Sequence, residues 1–111
     1  VAAQTHLTTT LLDSETTSGA ISVPDNYEIA GFVFDAGLDG TSVSFLAGTT
    51  YVAVEDDSST AVSITAEASK VSMLTTAAKV AAIAPLKDFK IVIGTGQTGS
   101  TTIRILLRRV A

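Results

Sequence analysis

Hydrophobic and polar residues alternate along this chain in short runs, each closed by turn residues. Thr41–Ala47 is the clearest: Val43 and Phe45 fall on one side, Ser42 and Ser44 on the other. A period of two marks a half-buried β-strand. The same reading predicts strands over His6–Asp13, Ala20–Val23, Tyr51–Val54, Val62–Ile64, Val71–Leu74, Phe89–Ile93 and Thr102–Val110. In the last of these, Ile103, Ile105 and Leu107 are assigned to the core, and Arg104, Leu106 and Arg108 to the opposite face. Tyr27–Asp35 is apolar on both sides, with Ile29, Gly31 and Val33 on one and Ala30, Phe32 and Phe34 on the other. That pattern predicts a strand buried on two faces.

The breaks between runs have turn chemistry. Pro24-Asp25-Asn26 combines a preset φ with side chains that fold back on the backbone. Ala36–Gly40, Gly48-Thr49-Thr50 and Gly94–Thr101 are Gly-rich connections, the last read as a hairpin joining two strands. Thr75–Ala84 departs from the alternation. Its alanines and Val80 form either two or three helical turns stopped by Pro85 or an irregular loop packed by small side chains. Many short strands separated by such turns predict an all-β, antiparallel sandwich or barrel.

Length and composition narrow the class. The 111 residues make one domain over 1–111, with residues 1–19 read as an extended N-terminal arm or a first strand. Hydrophobic residues make up 46% of the chain, enough for a core without staples, and with no cysteine there are none to form. Ser and Thr account for about a quarter of the chain, and β-branched side chains favour strands over helices. No apolar stretch approaches the roughly 20 residues of a membrane-spanning helix. The first residues lack the basic and apolar regions of a signal peptide, so the expectation is a soluble protein without a membrane partner.

Charge is divided along the chain. Ten acidic residues and no basic one precede Lys70; seven basic residues and one acid, Asp88, occur from there on, giving −10 and +6. Either the halves interleave and neutralise one another in one fold, or opposite faces dock on partners. The negative total and the shortage of aromatic platforms speak against nucleic acid.

Candidate chemistry is sparse. Gly94-Thr95-Gly96-Gln97-Thr98-Gly99 is a literal G-x-G-x-x-G after a strand. A dinucleotide site needs a helix at its last glycines and an acid about 20 residues later, and neither follows here. The glycines read instead as a turn that needs positive φ. Asp35 and Asp39 flank one turn, and Glu55-Asp56-Asp57 makes an acidic loop. These are either oxygen ligands for calcium or solvated loop charges, at a spacing that matches no EF-hand. His6 is the single histidine, and no nucleophile or orienting acid is paired with it by sequence. The expectation is a non-enzyme without a cofactor. Arg104, Arg108 and Arg109 stand out as candidate protein-interface residues, since arginines with apolar neighbours are frequent in protein contacts. Ion pairing with the acidic half is the other reading.

Several pieces, taken in order, carry a resemblance. They are Val23-Pro24-Asp25-Asn26-Tyr27, Ala30-Gly31, Thr41-Ser42-Val43-Ser44-Phe45-Leu46-Ala47 and Gly48-Thr49-Thr50-Tyr51. Val62-Ser63-Ile64-Thr65-Ala66, Phe89-Lys90-Ile91, Gly94-Thr95 and Thr102-Ile103-Arg104-Ile105-Leu106-Leu107-Arg108 follow. Together the chain resembles the small virion proteins of tailed bacteriophages that decorate, or cement, the capsid. The resemblance implies a jelly-roll-like β-sandwich, a homotrimer at capsid three-fold positions, the major capsid protein as partner and a place on the capsid exterior. The alternatives are another virion component of fibre, tail or head–tail type, or a ligand- or carbohydrate-binding module.

Overall fold

A computed structural model describes residues 6–110, so any arm formed by residues 1–5 lies outside the described part. In chain order the elements are β1 (His6–Leu11), β2 (Ile21–Ser22), β3 (Tyr27–Phe34), β4 (Ser42–Ala47), β5 (Val52–Ala53) and β6 (Ser63–Thr65). β7 (Val71–Met73), α1 (Ala77–Ile83), β8 (Asp88–Val92) and β9 (Thr101–Arg109) complete them. One sheet has the order β1-β9-β3-β7; the other has β2-β8-β4-β5, with β6 also paired to β4. Every described strand pair is antiparallel. The chain changes sheet after β1, β2, β3, β6, β7 and β8, which is the interleaving of a jelly roll.

Alternation explains why the two sheets face one another. Val43 and Phe45 on β4, Phe89 and Ile91 on β8, and Ile103, Ile105 and Leu107 on β9 all point into one core. Phe45 bridges the layers: its ring centroid lies 5.7 Å from Phe32 of the opposite sheet and 6.1 Å from Phe89 of its own. Such tilted pairs add about 0.5–1.5 kcal/mol beyond their burial.

β3 corrects the reading of a strand apolar on two faces. Its register against β9 pairs Ile29 with Leu107 but Gly31 with Leu106, so Ala30 is an extra residue. A bulge of this kind shifts the alternation by one. Ile29, Phe32 and Phe34 therefore share the core face, while Gly31 and Val33 look outward. Beyond the end of β7 the edge of β3 is continued by the helix end, where the Ile29 N–H donates to the Ala84 carbonyl at 3.1 Å.

The Ala-rich segment is helical over Ala77–Ile83 and buries Ile83. Alanine favours the helix, and Pro85 prevents its continuation.

The glycine-rich connection is also corrected. β8 and β9 lie in different sheets, so Gly94–Ser100 carries the chain across one end of the sandwich and does not turn a hairpin. Gln97 holds it there. Its side chain is buried, with Nε2 donating to the carbonyls of Asp39 and Thr95, and Oε1 accepting from Asp39 N–H and the Thr101 hydroxyl.

Candidate interaction surface

The strand alternation that buries Ile103, Ile105 and Leu107 sends Thr102, Arg104, Leu106 and Arg108 to the outer face of the four-stranded sheet. Cross-strand pairing fixes their neighbours. Arg104 sits between Thr8 of β1 and Val33 of β3, and Leu106 between His6 and Gly31. Arg108 faces Glu28 and forms an ion pair with it, its Nε donating to Oε1 at 2.8 Å. One of the three arginines singled out in the sequence is thus tied to the acidic half of the chain. Arg109 closes the strand opposite Tyr27, on the other side of the alternation from Arg104 and Arg108. Arg104 is exposed, and its side chain makes no hydrogen bond or ion pair among the described residues.

β7 extends this face with an inverted pattern. Ser72 pairs with core-facing Phe32, so Ser72 turns inward while Val71 and Met73 turn out. They are 57% and 49% exposed. The outer face then reads as two rows across the sheet: Thr8, Arg104, Val33, Val71, and His6, Leu106, Gly31, Met73. Gly31 is where the second row closes up. A Cβ there would lie 2.7 Å from Met73 Sδ and 2.8 Å from the Ser72 carbonyl. Hydrophobicity alone assigns Val71 and Met73 to the interior. Only their pairing register, set by the bulge in β3, reveals that they face solvent.

The acidic residues of the sandwich end serve the loops. Asp35 accepts from the N–H groups of Gly37 and Thr102, Asp39 from Thr98 and Asp13 from Gly99, at 2.8–3.0 Å. Among the described residues no three His, Cys, Asp or Glu side chains form a group able to hold a metal ion. The glycine motif opens into β9 and not a helix, so its loop lacks the N-terminus that would hold a pyrophosphate.

The acidic loop after β5 is a second preformed feature. Glu55 bridges to Ala61, and the Asp56 N–H donates to the Thr60 carbonyl at 2.9 Å. The Asp56 carboxylate accepts from the N–H groups of Thr60 and Ser58, which holds its pKa below the ordinary aspartate value. Glu55 and Asp57 flank it, exposed and without ion pairs among the described residues. Nearby, the Tyr51 hydroxyl donates to Asp88 at 2.7 Å, and Lys90 Nζ lies 4.5 Å from the ring centroid. The Asp88 hydrogen bond raises the Tyr51 pKa above 10.0.

Depressions open along both sides of the sandwich, between the sheet edges. One runs beside β1 and β2. The other, about 360 Å³, lies between β6, β7 and α1 and is lined by Ser63, Thr65, Ser72, Thr75, Thr76 and Lys79. Lys79 Nζ donates to the Ser63 carbonyl, capping the outer edge of β6. Compared with protein-family models, curated proteins and solved structures, the chain matches none.

Proposed function

We propose that this chain is a structural protein of a tailed-phage virion, which binds the outer surface of the major capsid shell as a homotrimer and stabilises it. The observation that carries the reading is the outer face of the four-stranded sheet. Strand β7 exposes Val71 and Met73 where a solvated sheet would carry polar side chains, and Arg104, unpaired among the described residues, lies in the row of Val71 and beside that of Met73. Apolar side chains around an arginine are the usual anatomy of a protein contact. The ordered sequence pieces described above support the particular kind of contact, since each falls on a strand or turn of the jelly roll.

Binding the assembled shell and not its separated subunits stabilises the shell by linkage. The gain is about 2.7 kcal/mol when the free protein stands at a hundred times its Kd. Particles lacking the protein then lose DNA at a lower temperature than particles carrying it, and adding it back restores heat resistance. Equal heat resistance with and without the protein contradicts a cementing role.

The groove beside β7 favours a second reading, a ligand- or carbohydrate-binding module. Six hydroxyls, that of Ser42 among them, and one ammonium group line it, and such groups match the hydrogen bonding of a sugar. A glycan array separates the readings: saturable binding of one glycan supports the module.

A further inference from the structure

The structure holds the Arg104 guanidinium, unpaired among the described residues, and a preformed acidic loop on surfaces that cannot meet within a single chain. Arg104 projects from the outer face of the four-stranded sheet, away from the second sheet. The Glu55–Thr60 loop hangs from β5 and β6, which belong to that second sheet. Packed sheets stand about 10 Å apart, with the core between them.

We propose that the outer face of the four-stranded sheet, centred on Arg104, docks the Glu55–Thr60 loop of a second copy of this chain. The proposal rests on the oligomeric part of the function proposed above and identifies the surfaces that form the oligomer. Charge complementarity selects the occupant. The face offers a guanidinium without a partner among the described residues; the loop offers the carboxylates of Glu55 and Asp57, likewise unpaired. Glu28, the carboxylate nearest in sequence to the face, is already engaged by Arg108. Asp35 lines the same shallow depression as Arg104, but both its oxygens accept backbone N–H groups.

Both surfaces are ready to bind without rearrangement. The loop is closed by its own hydrogen bonds through Asp56, so docking costs little further ordering. Around Arg104, Val33, Val71, Leu106 and Met73 supply apolar area that excludes water from the ion pair. The contact uses two different patches, so it is heterologous. Repeated with a rotation that closes, such a contact makes a ring, the geometry of a cyclic trimer; without closure it makes an open filament.

The test is the solution mass of the full chain by light scattering, over a concentration series at low and high salt. The wild type is expected to exceed the 11.4 kDa monomer at low salt and to dissociate at least about tenfold more readily near molar salt. Arg104→Glu and the pair Glu55→Lys with Asp57→Lys each abolish association, and combining all three restores it, because the charges are then exchanged across the contact. A wild type that stays monomeric at low salt overturns the proposal. So does an Arg104→Glu variant of undiminished mass, or a combined variant that remains monomeric. Sedimentation of the same variants with capsid shells keeps the two proposals distinct. Shell binding by a chain that does not self-associate sinks the docking proposal and the homotrimer while leaving the virion role standing; self-association without shell binding sinks only the virion role.

Discussion

The side-chain amide of Gln97 and the backbone of Asp39 are joined twice. Nε2 donates to the Asp39 carbonyl at 2.8 Å, and the Asp39 N–H donates to Oε1 at 3.0 Å. The pair fastens the loop before β4 to the crossing between β8 and β9. Replacing Gln97 with Leu leaves both Asp39 backbone groups without a partner beneath a buried side chain. Each orphan costs about 1–3 kcal/mol, so a total of about 2–6 kcal/mol is expected. Urea unfolding reads this as a lower midpoint at an unchanged slope. An unchanged midpoint contradicts the account.

Gly31 has a negative φ, so its requirement is space and not backbone freedom. An added methyl meets Met73 Sδ and, more seriously, the Ser72 carbonyl, which is backbone and cannot swing away. Gly31→Ala is expected to cost about 1–3 kcal/mol and to push β7 off β3. Faster hydrogen exchange of the Leu74 N–H, which donates to Ala30 at 2.9 Å, is the local signature. Adding Met73→Ala relieves only the sulfur contact and leaves most of the loss.

Two surface groups make the protein respond to pH at opposite ends of the scale. The Asp56 pKa is lowered by hydrogen bonds from Thr60 and Ser58. Its contribution to loop order is complete above the ordinary value of 3.8 and is lost as pH falls through the lowered one. The Tyr51 pKa is raised, so its bond to Asp88 is present below pH 10.0 and lost as pH rises through the higher value. Asp88→Asn is expected to bring the Tyr51 titration back towards 10.0, followed by ultraviolet absorbance of the phenolate. A titration unmoved by that substitution removes the Asp88 explanation.

Arg108 and Glu28 test how much an ordered ion pair contributes on this surface. Their side chains are 53% and 26% exposed, so solvent screens them. Arg108→Ala is expected to cost less than about 1 kcal/mol. Phe45→Ala, which empties the centre of the core, is expected to cost about 3–5 kcal/mol. Thermal melts of the two variants compare the terms directly, and a larger shift for Arg108→Ala reverses the ranking.

The alternation legible in the sequence locates the core on β4 and β9, because burial keeps period two over Ser42–Phe45 and Thr101–Leu107. It failed on β3, since a single inserted residue leaves composition untouched and changes only the face. Ala30 carries no mark that distinguishes a bulge from regular pairing. The Gly94–Ser100 connection differs from the expected hairpin for a related reason: glycines mark a change of direction but not which sheet the chain enters next. The outer placement of Arg104 and Arg108 was legible, as was a role for charge between the two halves, now seen in the Arg108–Glu28 pair. Gln97, Val71 and Met73 were not. A polar residue in a glycine loop reads as exposed and an apolar one in a strand reads as buried, and tertiary pairing overrides both.

Sedimentation of the purified chain with tailed-phage shells assembled from the cognate major capsid protein tests the central claim most directly. The account predicts saturable binding in fixed proportion to the shell subunits, with binding to assembled shells and none to separated subunits. A chain that stays in the supernatant at saturating concentration, or that binds only at a single vertex, contradicts a decorating role over the shell.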